Sequence, residues 1–175
     1  MDNLELLLAP DEIRQKVAEV ARAIDAAYAG EELTLIMVMK GALCLTADLI
    51  RALKTPLTIE AIKAKSYGQL GAKRGELTLE GLEELDLASK NVLLIDDIFD
   101  SGQTLRAILA ALRQKNPKSL KTLVLLSKNI PRETPYLPDY ILFHIENLFV
   151  IGYGLDYKEH YRGLSGIYHF KTEPQ

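Results

Sequence analysis

The chain has 175 residues, 48% apolar and 26% charged, and a net charge of −3 from 21 basic and 24 acidic side chains. That length suffices for one domain with a substantial core and is too short for two ordinary ones. The slightly acidic balance argues against bulk binding to nucleic acid or an anionic membrane, and no run of about 18 apolar residues is present to span a bilayer. The one cysteine, Cys44, sits in the apolar run Ala42-Leu43-Cys44-Leu45. It reads as a small buried hydrophobe and has no partner for an internal disulfide, so a reducing, cytoplasmic compartment is expected. The apolar stretch Leu6–Ala9 is too short for a signal sequence, and Asp2 and Glu5 stand where basic residues would precede one.

In chain order, Ile13, Val17, Val20, Ala21, Ile24 and Tyr28 recur at helical spacing. Pro10 suits a first turn, so a helix is predicted from about 10 to 28, stopped by Gly30. Leu33–Met39 is a continuous apolar run with the length of a buried strand. Gly41 provides a sharp exit, and 42–53 reads as a second helix. Leu57–Lys65 reads as a strand. Between Ser66 and Gly75 stand three glycines and the adjacent cations Lys73 and Arg74, a composition that predicts a mobile surface loop. Asn91–Ile95 is another buried strand. Leu105, Ile108, Leu109 and Leu112 then form one helical face. Ser119–Ser127, Tyr140–Ile145 and Phe149–Tyr153 read as strands. Buried strands alternating with helices imply an α/β fold with a mostly parallel sheet flanked by helices. Such sheets bind ligands beyond the carboxyl ends of their strands.

The segment with the most chemistry follows the strand at 91–95. It reads Asp96-Asp97-Ile98-Phe99-Asp100-Ser101-Gly102-Gln103-Thr104, and a helix follows. Gly102 allows a tight turn and close approach of backbone to a ligand. The amides of Ser101 to Thr104, at a helix N-terminus, can cradle a phosphate with help from the helix dipole. Asp96 and Asp97 can grip two vicinal hydroxyls of a ribose, directly or through Mg²⁺, which prefers carboxylate and water oxygens. A capping reading, with Asp100 or Ser101 closing the helix, also fits the pattern. It leaves the two carboxylates at the strand end without a partner.

This run resembles the phosphoribosyl-pyrophosphate signature of type I phosphoribosyltransferases, and most of all their hypoxanthine-guanine branch. Three further segments resemble that branch in order and approximate spacing: Met39-Lys40-Gly41-Ala42 with Thr46-Ala47-Asp48-Leu49 behind it; Lys65-Ser66-Tyr67-Gly68; and Phe149 through Tyr157 with Tyr161-Arg162 behind it. The likeness spans about residues 10 to 170. Position 96 is Asp where many relatives carry Glu, and Leu148 replaces a basic residue common in them.

The resemblance implies a type I phosphoribosyltransferase fold in one domain, with a small hood from about 1–10 and 145–175 and a mobile active-site loop at about 66–81. It implies a purine-salvage enzyme that uses phosphoribosyl pyrophosphate, a 6-oxopurine base (hypoxanthine, guanine or both) and Mg²⁺, assembled as a homodimer or homotetramer. By the same resemblance, Ser101, Gly102, Gln103 and Thr104 hold the 5′-phosphate and Asp96 and Asp97 the ribose. Asp100 is the general acid/base near the purine N7. Lys40 and Gly41 match the pyrophosphate loop, which often carries a cis peptide in this family, and Arg162 is a second cation for that group. Lys128 donates to the purine O6, Phe149 stacks on the base, and the backbone at Val150 and Asp156 reads its edge. Asp96, Asp97 and Asp156 are the metal candidates, and Ser66 and Tyr67 ride on the closing loop. Taken singly, Lys128 reads as a solvated charge, Phe149 as a core residue and Lys40-Gly41 as an ordinary turn; only their place in the family pattern favours the binding roles. His144, His160 and His169 form no metal-spacing motif.

Two other classes compete. A regulatory RNA-binding protein on the same fold predicts a basic face and a non-acidic residue in place of Asp100; the net charge and Asp100 count against it. A receiver-like module using Asp96 and Asp97 for metal leaves Ser101–Thr104 and the Asp156 segment unexplained.

Overall fold

The computed structural model describes residues 3–66, 77–131 and 135–172. Its elements in chain order are β1 (Leu4–Leu8), α1 (Pro10–Ala27), β2 (Leu33–Met39), α2 (Leu43–Ala52), β3 (Leu57–Ser66), β4 (Leu77–Glu80), β5 (Asn91–Phe99), α3 (Gln103–Arg113), β6 (Ser119–Lys128), β7 (Tyr140–Ile145), β8 (Val150–Ile151) and β9 (Ile167–Phe170). The main sheet has the order β4-β3-β2-β5-β6-β7. All its pairings are parallel except β3 with β4.

Strand alternation divides the core into two layers. Leu33, Leu35 and Met37 of β2, with Leu93 and Ile95 of β5, pack with α1 and α2. Their neighbours Ile36, Val38, Val92 and Leu94 face the other way, onto Leu105, Ile108, Leu109 and Leu112 of α3. Both faces are therefore covered, which is why the strands read as continuous apolar runs. α1 begins with Pro10 where no amide donor is required, and Glu12 accepts the Ala9 amide at 2.7 Å. Asp25 then ties α1 to the approach of β3, accepting the Thr55 amide at 2.9 Å and the Thr55 hydroxyl at 2.8 Å.

Four differences from the expected elements matter. β5 does not stop at Ile95 but runs on to Phe99, because β6 continues to pair with it as far as Phe99 opposite Ser127. The acid pair thus stands on a strand, not after it. The strand expected at Phe149–Tyr153 shrinks to Val150–Ile151, because Gly152 (φ 96°), Tyr153 (φ 50°) and Gly154 (φ 101°) all turn the chain into the left-handed region. Leu77–Glu80, inside the stretch expected as loop at 66–81, is a strand antiparallel to Lys63–Ser66, and Leu79 packs on the α3-side core. Cys44, expected to be buried, is partly exposed, its thiol 3.8 Å from the Arg162 carbonyl.

A second, smaller sheet joins the two ends of the chain in the order β1-β9-β8, all antiparallel, with Leu4 opposite Phe170 and Val150 opposite His169. Tyr153 anchors the segment after β8 to α2: its hydroxyl donates to Asp48 at 2.7 Å. Burial, then this bond to Asp48, pushes the phenol far above its ordinary value, so it serves as a fixed donor.

Candidate active site

The carboxyl ends of β2 and β5 and the turn after β8 enclose a cavity of about 280 Å³. Lys40, Gly41, Asp96, Asp97, Thr104, Asp156 and Arg162 all line it. These residues come from four segments of the chain, and each was expected in a binding role. The cis peptide in this region joins Met39 to Lys40. It lies one bond before Lys40-Gly41, the pair the resemblance had suggested.

Asp96 is buried and Asp97 half-buried. The Asp97 amide donates to Asp96 Oδ1 at 3.0 Å, and the Ile98 amide to Asp97 Oδ1 at 2.7 Å. Burial, reinforced by the adjacent Asp97 carboxylate, pushes the Asp96 carboxyl well above the usual carboxylate range. Burial also raises Asp97, against the pull of the Ile98 amide and of the Arg162 charge. Two crowded carboxyls of this kind are relieved by hydroxyl donors or a cation, which is the chemistry a metal-bound sugar brings.

Beyond Phe99 the chain leaves β5 through Asp100 and Ser101. Gly102 (φ 79°) is the N-cap of α3, in a left-handed conformation that suits glycine and with no side-chain cap. The Gln103 amide donates to Ser101 Oγ at 3.4 Å, and Gly102 accepts the Arg106 amide at 3.0 Å. The positive end of α3 therefore faces the Thr104 wall of the cavity.

Asp100 Oδ2 lies 3.6 Å from the Lys128 ammonium. The Lys128 side chain is only 14% exposed, and its ammonium also lies 3.4 Å from Asn147 Oδ1. A solvated surface lysine does not fit that burial, so the partly open Asp100 and the largely sequestered Lys128 act as a set pair at the end of β6. Asn147 was not anticipated; nothing in its local sequence marks it.

Arg162 is held by its neighbours. Nη1 donates to the Gly154 carbonyl at 2.8 Å and Nη2 pairs with Asp156 Oδ1 at 2.8 Å. Glu159, also unanticipated, contacts Arg162 Nη2 at 3.2 Å and the Lys40 ammonium at 2.9 Å. Phe149 is 56% exposed and forms an aromatic cluster, edge-on to Tyr157 (centroids 5.8 Å apart) and roughly parallel to Phe170 (6.3 Å). An exposed ring supported on its flanks suits a stacking platform more than a core position. Val150 is buried in β8, its backbone paired with β9. Ser66 ends β3 opposite Leu77. The Ser66 side chain and all of Tyr67 lie outside the described residues.

Three comparisons agree with this geometry. The model of the phosphoribosyl transferase domain matches residues 5–158. The hypoxanthine-guanine phosphoribosyltransferase of Aquifex aeolicus is 36% identical over 166 residues, which cover 94% of this chain and 93% of that one. The structure of a hypoxanthine-guanine phosphoribosyltransferase from Bacillus anthracis matches with a TM-score of 0.88 at 36% identity, over 94% of this chain and 97% of its own. That of the Trypanosoma cruzi hypoxanthine phosphoribosyltransferase in complex with the product IMP matches with a TM-score of 0.87 at 36% identity, over 98% and 96%. The fold is thus that of the relatives, and the chain belongs to the phosphoribosyltransferase family, in its hypoxanthine-guanine branch.

Proposed function

We propose that this site transfers the phosphoribosyl group of phosphoribosyl pyrophosphate to N9 of hypoxanthine or guanine, giving IMP or GMP and pyrophosphate. The observation that carries the reading is the single cavity joining the acid pair Asp96–Asp97 to the cations Lys40 and Arg162. A ribose that bears a phosphate at one end and pyrophosphate at the other needs hydroxyl acceptors in the middle and positive charge at both ends.

In this assignment the 5′-phosphate sits on the amides and hydroxyls of Ser101 to Thr104, at the positive end of α3. The ribose hydroxyls face Asp96 and Asp97. Lys40, the amide at Gly41 and Arg162 take the pyrophosphate, the guanidinium matching phosphate oxygens as a fork. The base stacks on Phe149, with the backbone of Val150 and Asp156 along its edge. Lys128 donates to O6, so an adenine amino group there would face another donor. Asp100 takes the proton from N7 as N9 bonds to C1′. The 3.6 Å contact with Lys128 keeps that carboxylate aimed at the base.

Breaking the bond from C1′ to pyrophosphate leaves an oxocarbenium-like sugar that water would capture, so the reacting centre must exclude water. The residues present suit magnesium: Asp96, Asp97 and Asp156 offer hard carboxylate oxygens, and Mg²⁺ takes one or two such ligands beside phosphate and water. Among the described residues no three groups cluster tightly enough to hold a metal by themselves. When bound, Mg²⁺ neutralises charge on the leaving pyrophosphate. The small β1-β9-β8 sheet serves as the hood that carries Phe149 over the base. A homodimer or homotetramer, and a cytoplasmic setting, belong to the same proposal; no helix of the described residues is long and apolar enough to cross a membrane.

The test is nucleotide formation from phosphoribosyl pyrophosphate with hypoxanthine, guanine, xanthine or adenine, with and without Mg²⁺. Turnover of hypoxanthine or guanine that needs Mg²⁺, with adenine inert, is expected. Turnover of adenine alone, or of none of the four, would refute the assignment.

A further inference from the structure

Glu159 has no role in the transfer chemistry just described, yet one of its oxygens contacts both cations assigned to pyrophosphate. Oε2 accepts from the Lys40 ammonium at 2.9 Å and from Arg162 Nη2 at 3.2 Å. Those cations belong to the loop after β2 and to the turn after β8, 122 positions apart (162 − 40). Resting on the reading of Lys40 and Arg162 as the pyrophosphate cations, we propose that Glu159 is an internal counter-anion that competes with pyrophosphate for them and so weakens the grip on the leaving group.

Three observations favour competition over simple positioning. First, Arg162 does not depend on Glu159 for its place: the Gly154 carbonyl and Asp156 Oδ1 hold it, each at 2.8 Å. Second, the Glu159 side chain is 65% exposed and that of Lys40 49% exposed. The exposed carboxylate borders the cavity-lining Lys40 and Arg162 and can swing into water at little desolvation cost. Third, its backbone is fixed independently of those cations. The Glu159 amide donates to Asp156 Oδ2 at 2.8 Å, and Lys158 (φ 51°) and Glu159 (φ 66°) make a left-handed turn that presents the carboxylate to Lys40. A carboxylate oxygen between an ammonium and a guanidinium occupies the place a phosphate oxygen seeks. Two such anions cannot share the cations without repulsion, so the pyrophosphate complex must displace Glu159.

Calorimetric titration of pyrophosphate with Mg²⁺ into the wild-type protein and into Glu159→Gln tests this, with IMP titrated into both. The isosteric amide at an exposed position removes the charge and leaves the turn intact. Two exposed charge contacts and one repulsion are lost, so the pyrophosphate Kd is expected to fall roughly three- to tenfold in Glu159→Gln. IMP affinity should be unchanged, because its phosphate is assigned to the turn before α3; the IMP titration also reports that the variant is folded. Unchanged or weaker pyrophosphate affinity would overturn the proposal, as would an equal gain for IMP, which indicates a general charge effect. No pyrophosphate binding to the wild type, with IMP still bound, would instead sink the assignment of Lys40 and Arg162, and this proposal with it.

Discussion

The Asp97 carboxylate lies so close over the Cα of Gly41 that a β-carbon on residue 41 would overlap its Oδ2. On the other side of the same loop, a β-carbon on Gly154 would overlap the Gly41 carbonyl. The loop after β2 is thus wedged between the acid pair of β5 and the turn that carries Asp156 and Arg162, and glycine is what lets the three meet. Gly41→Ala must move either Asp97 or the loop. A displacement of about an ångström in such a site costs on the order of 10²-fold in rate, and that loss is expected in kcat/KM for phosphoribosyl pyrophosphate. Steady-state kinetics of a variant that still folds checks it; wild-type kinetics would show that the close approach has no functional weight.

If Asp100 moves the proton as proposed, Asp100→Asn should keep the shape of the site and lose the chemistry. A fall in kcat of roughly 10²- to 10⁴-fold is expected, the range for a positioned acid or base, with little change in the Kd for phosphoribosyl pyrophosphate. Turnover at the wild-type rate would remove Asp100 from the catalytic role.

Lys128, sequestered beside Asp100 and Asn147, is the residue we propose to carry the preference for an oxo group. Lys128→Met keeps the apolar stem and removes the donor. Losing a hydrogen bond from a charged group should lower kcat/KM for hypoxanthine by about 10- to 100-fold. The gap between hypoxanthine and adenine should narrow. Competition assays with the two bases measure it, and an unaltered ratio would place the specificity elsewhere.

Asp96 sets stability against function. Its folded carboxyl holds a proton far more tightly than the ordinary value of 3.8. Between that value and the raised one, the folded chain binds a proton the unfolded chain has already released. Stability therefore falls as pH rises through that window and stays lowered above it. Asp96→Asn removes the penalty and keeps an oxygen for the Asp97 amide. At neutral pH its melting temperature should rise by about 2–4 °C, as for a gain on the order of 1 kcal/mol, while transferase activity drops. Melting curves across pH should converge for the two proteins near pH 3.8 and separate above it.

The centre of the main sheet was legible because β2 and β5 are buried on both faces. Leu33–Met39 and Asn91–Ile95 have no polar face to confuse with a helix, and the α3 stripe repeats at helical spacing. The signature turn was legible because Gly102 and the acids before it are local. The small sheet was not: β1 pairs with β9 from the opposite end of the chain, Leu4 opposite Phe170 and Leu8 opposite Ile167, and neither Leu4–Leu8 nor Ile167–Phe170 shows a clean alternation. The extension of β5 through Asp96 and Asp97 depends on its partner β6, since carboxylates alone suggest a strand end. Glu159 and Asn147 were missed for a similar reason. Each takes its part only when the fold brings it to Lys40 or Lys128, and an isolated Glu or Asn carries no pattern.

The central claim is that the turn from Ser101 to Thr104 holds a nucleotide phosphate while Phe149 and Lys128 hold the base. A crystal structure of the chain with IMP bound tests it most directly. The account predicts phosphate oxygens within hydrogen-bond distance of the amides at 101–104, the purine ring over Phe149 and O6 at the Lys128 ammonium. A nucleotide bound elsewhere with this turn empty, or bound here with its base turned away from Lys128, would contradict it.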